Sequence, residues 1–153
     1  MKKNIFLVVT VLISKFSYAS SCLNLTGKWE GICDRDGVIK KESLIVRQNS
    51  CEDINFYGID YKIGMPYDER YENEYEKTVN IFNLFWGEDG QSLNFNVDRV
   101  KWMKGKNEVS TGEGIGHLKI VDQVMYYSRT YSARSRDGIY SKESRKCEFT
   151  RKK

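Results

Sequence analysis

The hydrophobic positions of this chain fall into two unlike regimes. Residues 5–13 form a single apolar run. Past residue 24 the apolar positions come in short segments rich in Val, Ile, Phe, Tyr and Thr. Turn signals separate them: Asp36-Gly37, Asp89-Gly90, Lys104-Gly105, Val121-Asp122 and Asp137-Gly138. Regular turns between short β-rich runs predict an antiparallel sandwich or barrel. The expected strands are 25–33, 42–48, 53–58, 77–86, 92–102, 108–120, 123–132 and 139–151, joined mostly by hairpins. Gly112, Gly114 and Gly116 interrupt the sixth. Alternating glycines on one strand suggest a bulge or a sharp bend.

One segment departs from this pattern. In MPYDERYENEYEKT, Tyr67, Tyr71 and Tyr75 recur every four residues behind Pro66. Asp68, Glu69, Glu72 and Glu74 fill the gaps. The spacing fits a short helix that starts at Pro66 with acids in its first turn. It fits equally a solvated loop whose Tyr rings pack on a barrel rim. Tyr supplies rigid contact area, so the segment is also a candidate surface for a protein partner.

The early apolar run is too short to cross a bilayer with comfort. It follows Lys2 and Lys3 and precedes the small residues of Ser17-Tyr18-Ala19. That layout predicts a secretory signal peptide, cut after Ala19. The chain then divides into a signal peptide, 1–19, and one domain, 20–153, a size that suits a single core. The leader holds Lys2, Lys3 and Lys15 and no acid, so its loss takes the 25 basic residues to 22, against 21 acidic. A near-neutral domain removes the ground for general nucleic-acid binding. No later stretch is apolar enough to span a membrane, and the expectation is a periplasmic or secreted protein.

Cys22, Cys33, Cys51 and Cys147 all fall in the domain. An even number in an oxidising compartment reads as two disulfides, with three pairings open. A hairpin turning at Asp36-Gly37 brings Cys22 near Cys51. Laying the last strand against the first sets Cys33 opposite Cys147 and Trp29 opposite Arg151, on matching faces. The pairing Cys22–Cys51 with Cys33–Cys147 is favoured, because only closure of the sheet brings both chain ends together. The expected fold is therefore all-β: an antiparallel up-and-down barrel of about eight strands with two disulfides. Lipidation of Cys22, which follows the small residues Ala19-Ser20-Ser21, is the alternative; it would leave an odd cysteine.

Gly27-Lys28-Trp29 at the start of the first strand resembles the lipocalin and calycin signature. The resemblance implies that Trp29 plugs the closed end of an eight-stranded barrel. It implies too that a basic residue of the last strand packs over that Trp, and Arg151 holds the matching position. Residues 25–29, LTGKW, also resemble the opening of avidins. The Asn and Ser expected next in avidins are replaced by EGICDRDG, so biotin is not the expected ligand. The whole layout is similar to that of small, uncharacterised exported bacterial proteins, which brings no activity with it.

Motifs that carry chemistry are sparse. His117 is the only histidine; without a Ser or Cys motif beside it, it reads as a strand histidine. The acids between the tyrosines lack the spacing and central Gly of an EF-hand. GEGIG, residues 112–116, lacks the Lys-Ser/Thr of a P-loop. Neither enzyme activity nor a metal or cofactor is expected. Aromatic residues are abundant, at 13%, and those facing inward either fill a small barrel or line a cavity in it. The candidate ligand-binding set is Trp29, Trp86, Phe95, Trp102, Tyr126 and Arg151, for a small apolar or aromatic ligand. The competing expectation is a protein-interaction module, such as an inhibitor of an extracytoplasmic hydrolase, docking through Tyr67, Tyr71 and Tyr75.

Overall fold

The computed structural model describes residues 22–106, 108–138 and 140–152. The expected signal peptide lies outside these, as does Ile139, the expected first residue of the last strand. Ten strands follow in chain order: β1 (Gly27–Arg35), β2 (Val38–Gln48), β3 (Asp53–Phe56), β4 (Ile59–Lys62), β5 (Pro66–Glu72), β6 (Glu76–Trp86), β7 (Ser92–Met103), β8 (Glu108–Val121), β9 (Val124–Ser135) and β10 (Tyr140–Arg151). They form one antiparallel sheet in the order β4-β3-β2-β1-β10-β9-β8-β7-β6-β5. The sheet curls into a nearly closed barrel, and no helix occurs among the described residues.

Tight turns set the hairpins. Asp36-Gly37 (φ 50° and 85°), Tyr57-Gly58 (52° and 83°) and Asp122-Gln123 (49° and 66°) each place two successive residues at positive φ. That geometry matches the right-handed twist of the flanking strands. The Tyr57-Gly58 turn explains one correction to the expected eight strands. The segment 53–58 does not run on as one strand; it doubles back after Phe56 into β4. The second correction is the Tyr segment, most of which is strand; only 73–75, with Tyr75, form a turn. Residues 66–72 are β5, paired from Pro66↔Asn83 to Glu72↔Lys77. A spacing of four suits a strand as well as a helix, because every fourth residue of a strand returns to the same face.

The chain ends meet as expected. β1 pairs with β10 in the register Trp29↔Arg151 and Cys33↔Cys147, and the bridges are Cys22–Cys51 and Cys33–Cys147. The Cys22 sulfur is thereby bonded to Cys51 and has no valence left for a thioether lipid. Each bridge stabilises the fold by about 2–4 kcal/mol, mostly by restricting the unfolded chain. The sheet's free edges lie elsewhere, on the consecutive strands β4 and β5. Their seam is spanned by rings instead of a ladder: Tyr61 lies 5.1 Å from Tyr67 and 6.1 Å from Phe82, both edge-on. β3 covers β2 only from Val46 to Gln48, so the outer edge of β2 above that point carries no strand.

Register and alternation sort the interior into two zones. Leu25, Trp29, Val46, Ile54, Leu93, Leu118, Met125 and Phe149 are fully buried towards one end. Towards the other, the inward positions are polar: Glu42, Glu69, Asn80, Arg99, Lys101, Arg129, Glu143 and Arg145. The glycines of β8 work differently from the expectation. Pairing with β7 and β9 runs through Gly112, Gly114 and Gly116 without a break, so there is no bulge there. All three face inward, and rings from the adjacent strands occupy the vacant space. A Cβ on Gly116 would sit 1.9 Å from Cζ of Phe95, and one on Gly112 would sit 2.0 Å from the Tyr131 hydroxyl.

Candidate functional site

The apolar end is sealed by the chain before β1. The Cys22–Cys51 bridge anchors that segment to the β2–β3 turn. Leu23 N–H then donates to Gly90 O (2.9 Å) in the β6–β7 turn, which carries the segment across the barrel floor. Leu25 N–H donates to Gln48 Oε1 (2.9 Å), and Trp29 Nε1–H donates back to Leu25 O (2.9 Å). Trp29 is 1% exposed. Over its ring lies Arg151, whose Cζ is 4.6 Å from the ring centroid and whose Nη2 donates to Asn24 O (2.9 Å). Gly27 is needed here twice: its φ is +150°, and a Cβ would come within 3.3 Å of the Arg151 side chain.

Above this floor lies a cavity of about 220 Å³. Its lower wall is aliphatic, from Leu44, Leu84, Leu93 and Leu118, with Phe149. Its sides are rings: Phe56, Tyr61, Phe82, Phe95 and Tyr127. Its polar end is formed by Arg129, Arg145 and Tyr57. Phe95 stacks on Tyr127 at 5.8 Å, and the Arg145 guanidinium carbon lies 5.4 Å from the centroid of the Tyr127 ring. Glu42 pairs with Arg145. Glu143 is shared between Arg129 (3.4 Å) and Arg35 (3.5 Å). Above them Arg99 Nε–H donates to Asn80 Oδ1 (2.7 Å), and Asn80 Nδ2–H donates to Glu69 Oε2 (2.9 Å). Burial pushes the Tyr61 hydroxyl up to about 12, helped by the nearby Glu69 and Tyr67. Burial also raises Tyr127, against the opposing pull of Arg129 and Arg145. Both hydroxyls stay neutral hydrogen-bond donors at ordinary pH.

The residues expected from sequence to bind a ligand separate into three groups. Phe95 lines the cavity. Trp29, Trp86 and Arg151 belong to the floor beneath it, where Trp86 Nε1–H donates to Cys51 O (2.7 Å). Trp102 and Tyr126 lie apart from both. They sit on the outer face, 37% and 36% exposed, because alternation on β7 and β9 turns inward Met103 and Tyr127 instead. Of the three tyrosines, Tyr67 points inward against Tyr61, while Tyr71 and Tyr75 are exposed at 53% and 66%. His117 is on the outer face with Nδ1 2.8 Å from Asn94 Oδ1. No group of acids, His or Cys among the described residues is arranged to hold a metal ion.

Sequence reasoning did not single out Arg129 and Arg145. Parity held the signal. Arg145 lies two residues before Cys147 and four before Phe149, so it shares their inward face. Comparison of the chain with family models, with curated proteins and with solved structures finds no match.

Proposed function

We propose that this chain is an exported, non-enzymatic barrel protein that holds a small apolar or aromatic ligand inside its sheet. One observation carries the reading: an aliphatic and aromatic cavity of about 220 Å³ above a sealed floor. An engineered apolar cavity of about 150 Å³ already accepts benzene, so the volume suits a small molecule or a short chain. The lipocalin-like reading of Gly27-Lys28-Trp29 belongs to this proposal and is supported by the Arg151 guanidinium over the Trp29 ring. Export, to a periplasm or beyond it, is supported by the two disulfides, which persist in oxidising compartments. No helix among the described residues is long and apolar enough to cross a membrane.

Tryptophan emission tests the reading, because Trp29 and Trp86 lie directly below the cavity. Titration with octanol or naphthalene is expected to change that emission saturably. A Leu118→Trp variant, which fills the cavity, is expected to abolish the response. An unchanged response in that variant would refute an interior site.

A second reading, a protein-interaction module such as a hydrolase inhibitor, is favoured by exposed Tyr71 and Tyr75 beside the bare edge of β5. Affinity capture with lysozymes and peptidases as defined baits, comparing the chain with a Tyr71→Ser/Tyr75→Ser variant, separates it from the first.

A further inference from the structure

We infer that the ligand is a single-chain amphiphile with an anionic headgroup, its tail among Leu84, Leu93 and Leu118 and its head against Arg129 and Arg145. The inference rests on the proposal that the cavity binds a ligand, and it adds the ligand's chemical class.

Three observations converge on it. First, the ionised groups of the cavity wall are both guanidinium groups, and its remaining polar atoms are tyrosine hydroxyls. No carboxylate, amide or histidine side chain lines it. Such a wall offers hydrogen-bond donors and calls for an acceptor. Second, Arg145 Nε is buried and has no hydrogen-bond partner among the described residues. A buried donor without a partner carries a desolvation cost that a ligand oxygen would relieve. Third, the charges around the head position do not balance. Arg35, Arg129 and Arg145 face two carboxylates, Glu42 and Glu143, and Glu143 is divided between two of the three. One positive charge is left over beside an apolar cavity. A carboxylate or phosphate monoester matches the planar guanidinium fork, and both can accept two bonds at once. A cationic head would be repelled, and a neutral hydroxyl would leave the excess charge uncompensated.

The tail position follows from the grading of the interior. The aliphatic wall lies towards the floor and the arginines towards the open end, so a bound amphiphile has one orientation that suits both. The volume of about 220 Å³ limits the tail to a short or medium chain.

The test is a set of four octyl compounds differing only in the head: octanoate, octyl phosphate, octanol and octylamine. Each is titrated against the disulfide-bonded chain, and displacement of the neutral fluorophore N-phenylnaphthylamine is read. At least one anion is expected to bind about tenfold tighter than octanol, the value of one charge-assisted hydrogen bond, with octylamine weakest. The tighter anion identifies the headgroup. Arg145→Met is expected to bring that anion within about twofold of octanol while octanol binding persists. Because that variant leaves Glu42 unpaired, Arg145→Met/Glu42→Gln is measured beside it, with circular dichroism confirming the fold. Anions no tighter than octanol, or a preference that survives in the double variant, would overturn the inference and leave the cavity reading standing. Failure of every octyl compound to displace the probe would overturn both.

Discussion

The two ends of this barrel are built from opposite materials. At the floor, apolar side chains interlock, a disulfide pins the incoming chain, and hydrogen bonds tie it to the β6–β7 turn and to the Gln48 side chain. At the mouth, the same strands turn arginines, lysines and glutamates inward, and ion pairs take the place of packing. Burial of apolar surface is worth about 25 cal/mol per Å² wherever it occurs. Partly exposed ion pairs contribute about 0–1 kcal/mol each. The floor therefore holds the barrel together, and the mouth contributes little to its stability.

The effects of substitutions at the two ends should differ in size accordingly. Trp29→Ala should have the largest effect, a loss of about 3–5 kcal/mol in urea unfolding, since it empties the floor and leaves the Leu25 carbonyl without its indole donor. Next, replacing Cys33 and Cys147 together with Ala should cost more than replacing Cys22 and Cys51. The loops closed span 114 and 29 residues of sequence separation, and the longer one is worth about 1 kcal/mol more on entropic grounds. Equal losses would contradict the entropic origin of the difference. Gly116→Val sits between the zones. Its side chain must displace the Phe95 ring, with an expected cost of about 1–3 kcal/mol and a smaller cavity, read as weaker octanol binding. At the mouth, Lys101→Met removes the pair with Glu76 and should change stability by less than about 1 kcal/mol.

The tyrosines add a pH test. Tyr61 is held neutral in the fold up to about 12, against an ordinary value of 10.0. Its ionised form is favoured only in the unfolded chain over that interval. Stability from this group is thus complete below pH 10 and declines as pH rises towards 12. Urea midpoints should fall across that window, and Tyr61→Phe should flatten the fall.

The legibility of this fold in its sequence follows the same division. The pairing of β1 with β10 could be read because two cysteines and a Trp–Arg pair fall at matching offsets, and strand geometry leaves little freedom in how they meet. Asp36-Gly37 announced its hairpin through residues that tolerate positive φ. Tyr57-Gly58 did not, since a bulky residue is unusual in that conformation, and β4 was missed with it. The tyrosines of β5 were ambiguous because a repeat of four satisfies both regular structures. At the site, Phe95 could be placed by composition alone, but Trp102 and Tyr126 could not. Their faces depend on strand parity, and one residue of register sends a side chain to the other side of the sheet. Arg129 and Arg145 were hidden by the habit of assigning charge to solvent. Near the mouth of a small barrel, inward positions lie close enough to water for charge to be kept there in pairs.

An apolar ligand is proposed to sit inside the barrel and not on its exposed aromatic surface. Methyl and aromatic NMR shifts during an octanol titration distinguish the two places. An interior site gives saturable shifts at Leu84, Leu93, Leu118 and Phe95, with Ile32, Trp102 and Tyr126 unmoved. Shifts confined to Trp102, Tyr126 and their outward neighbours would contradict it.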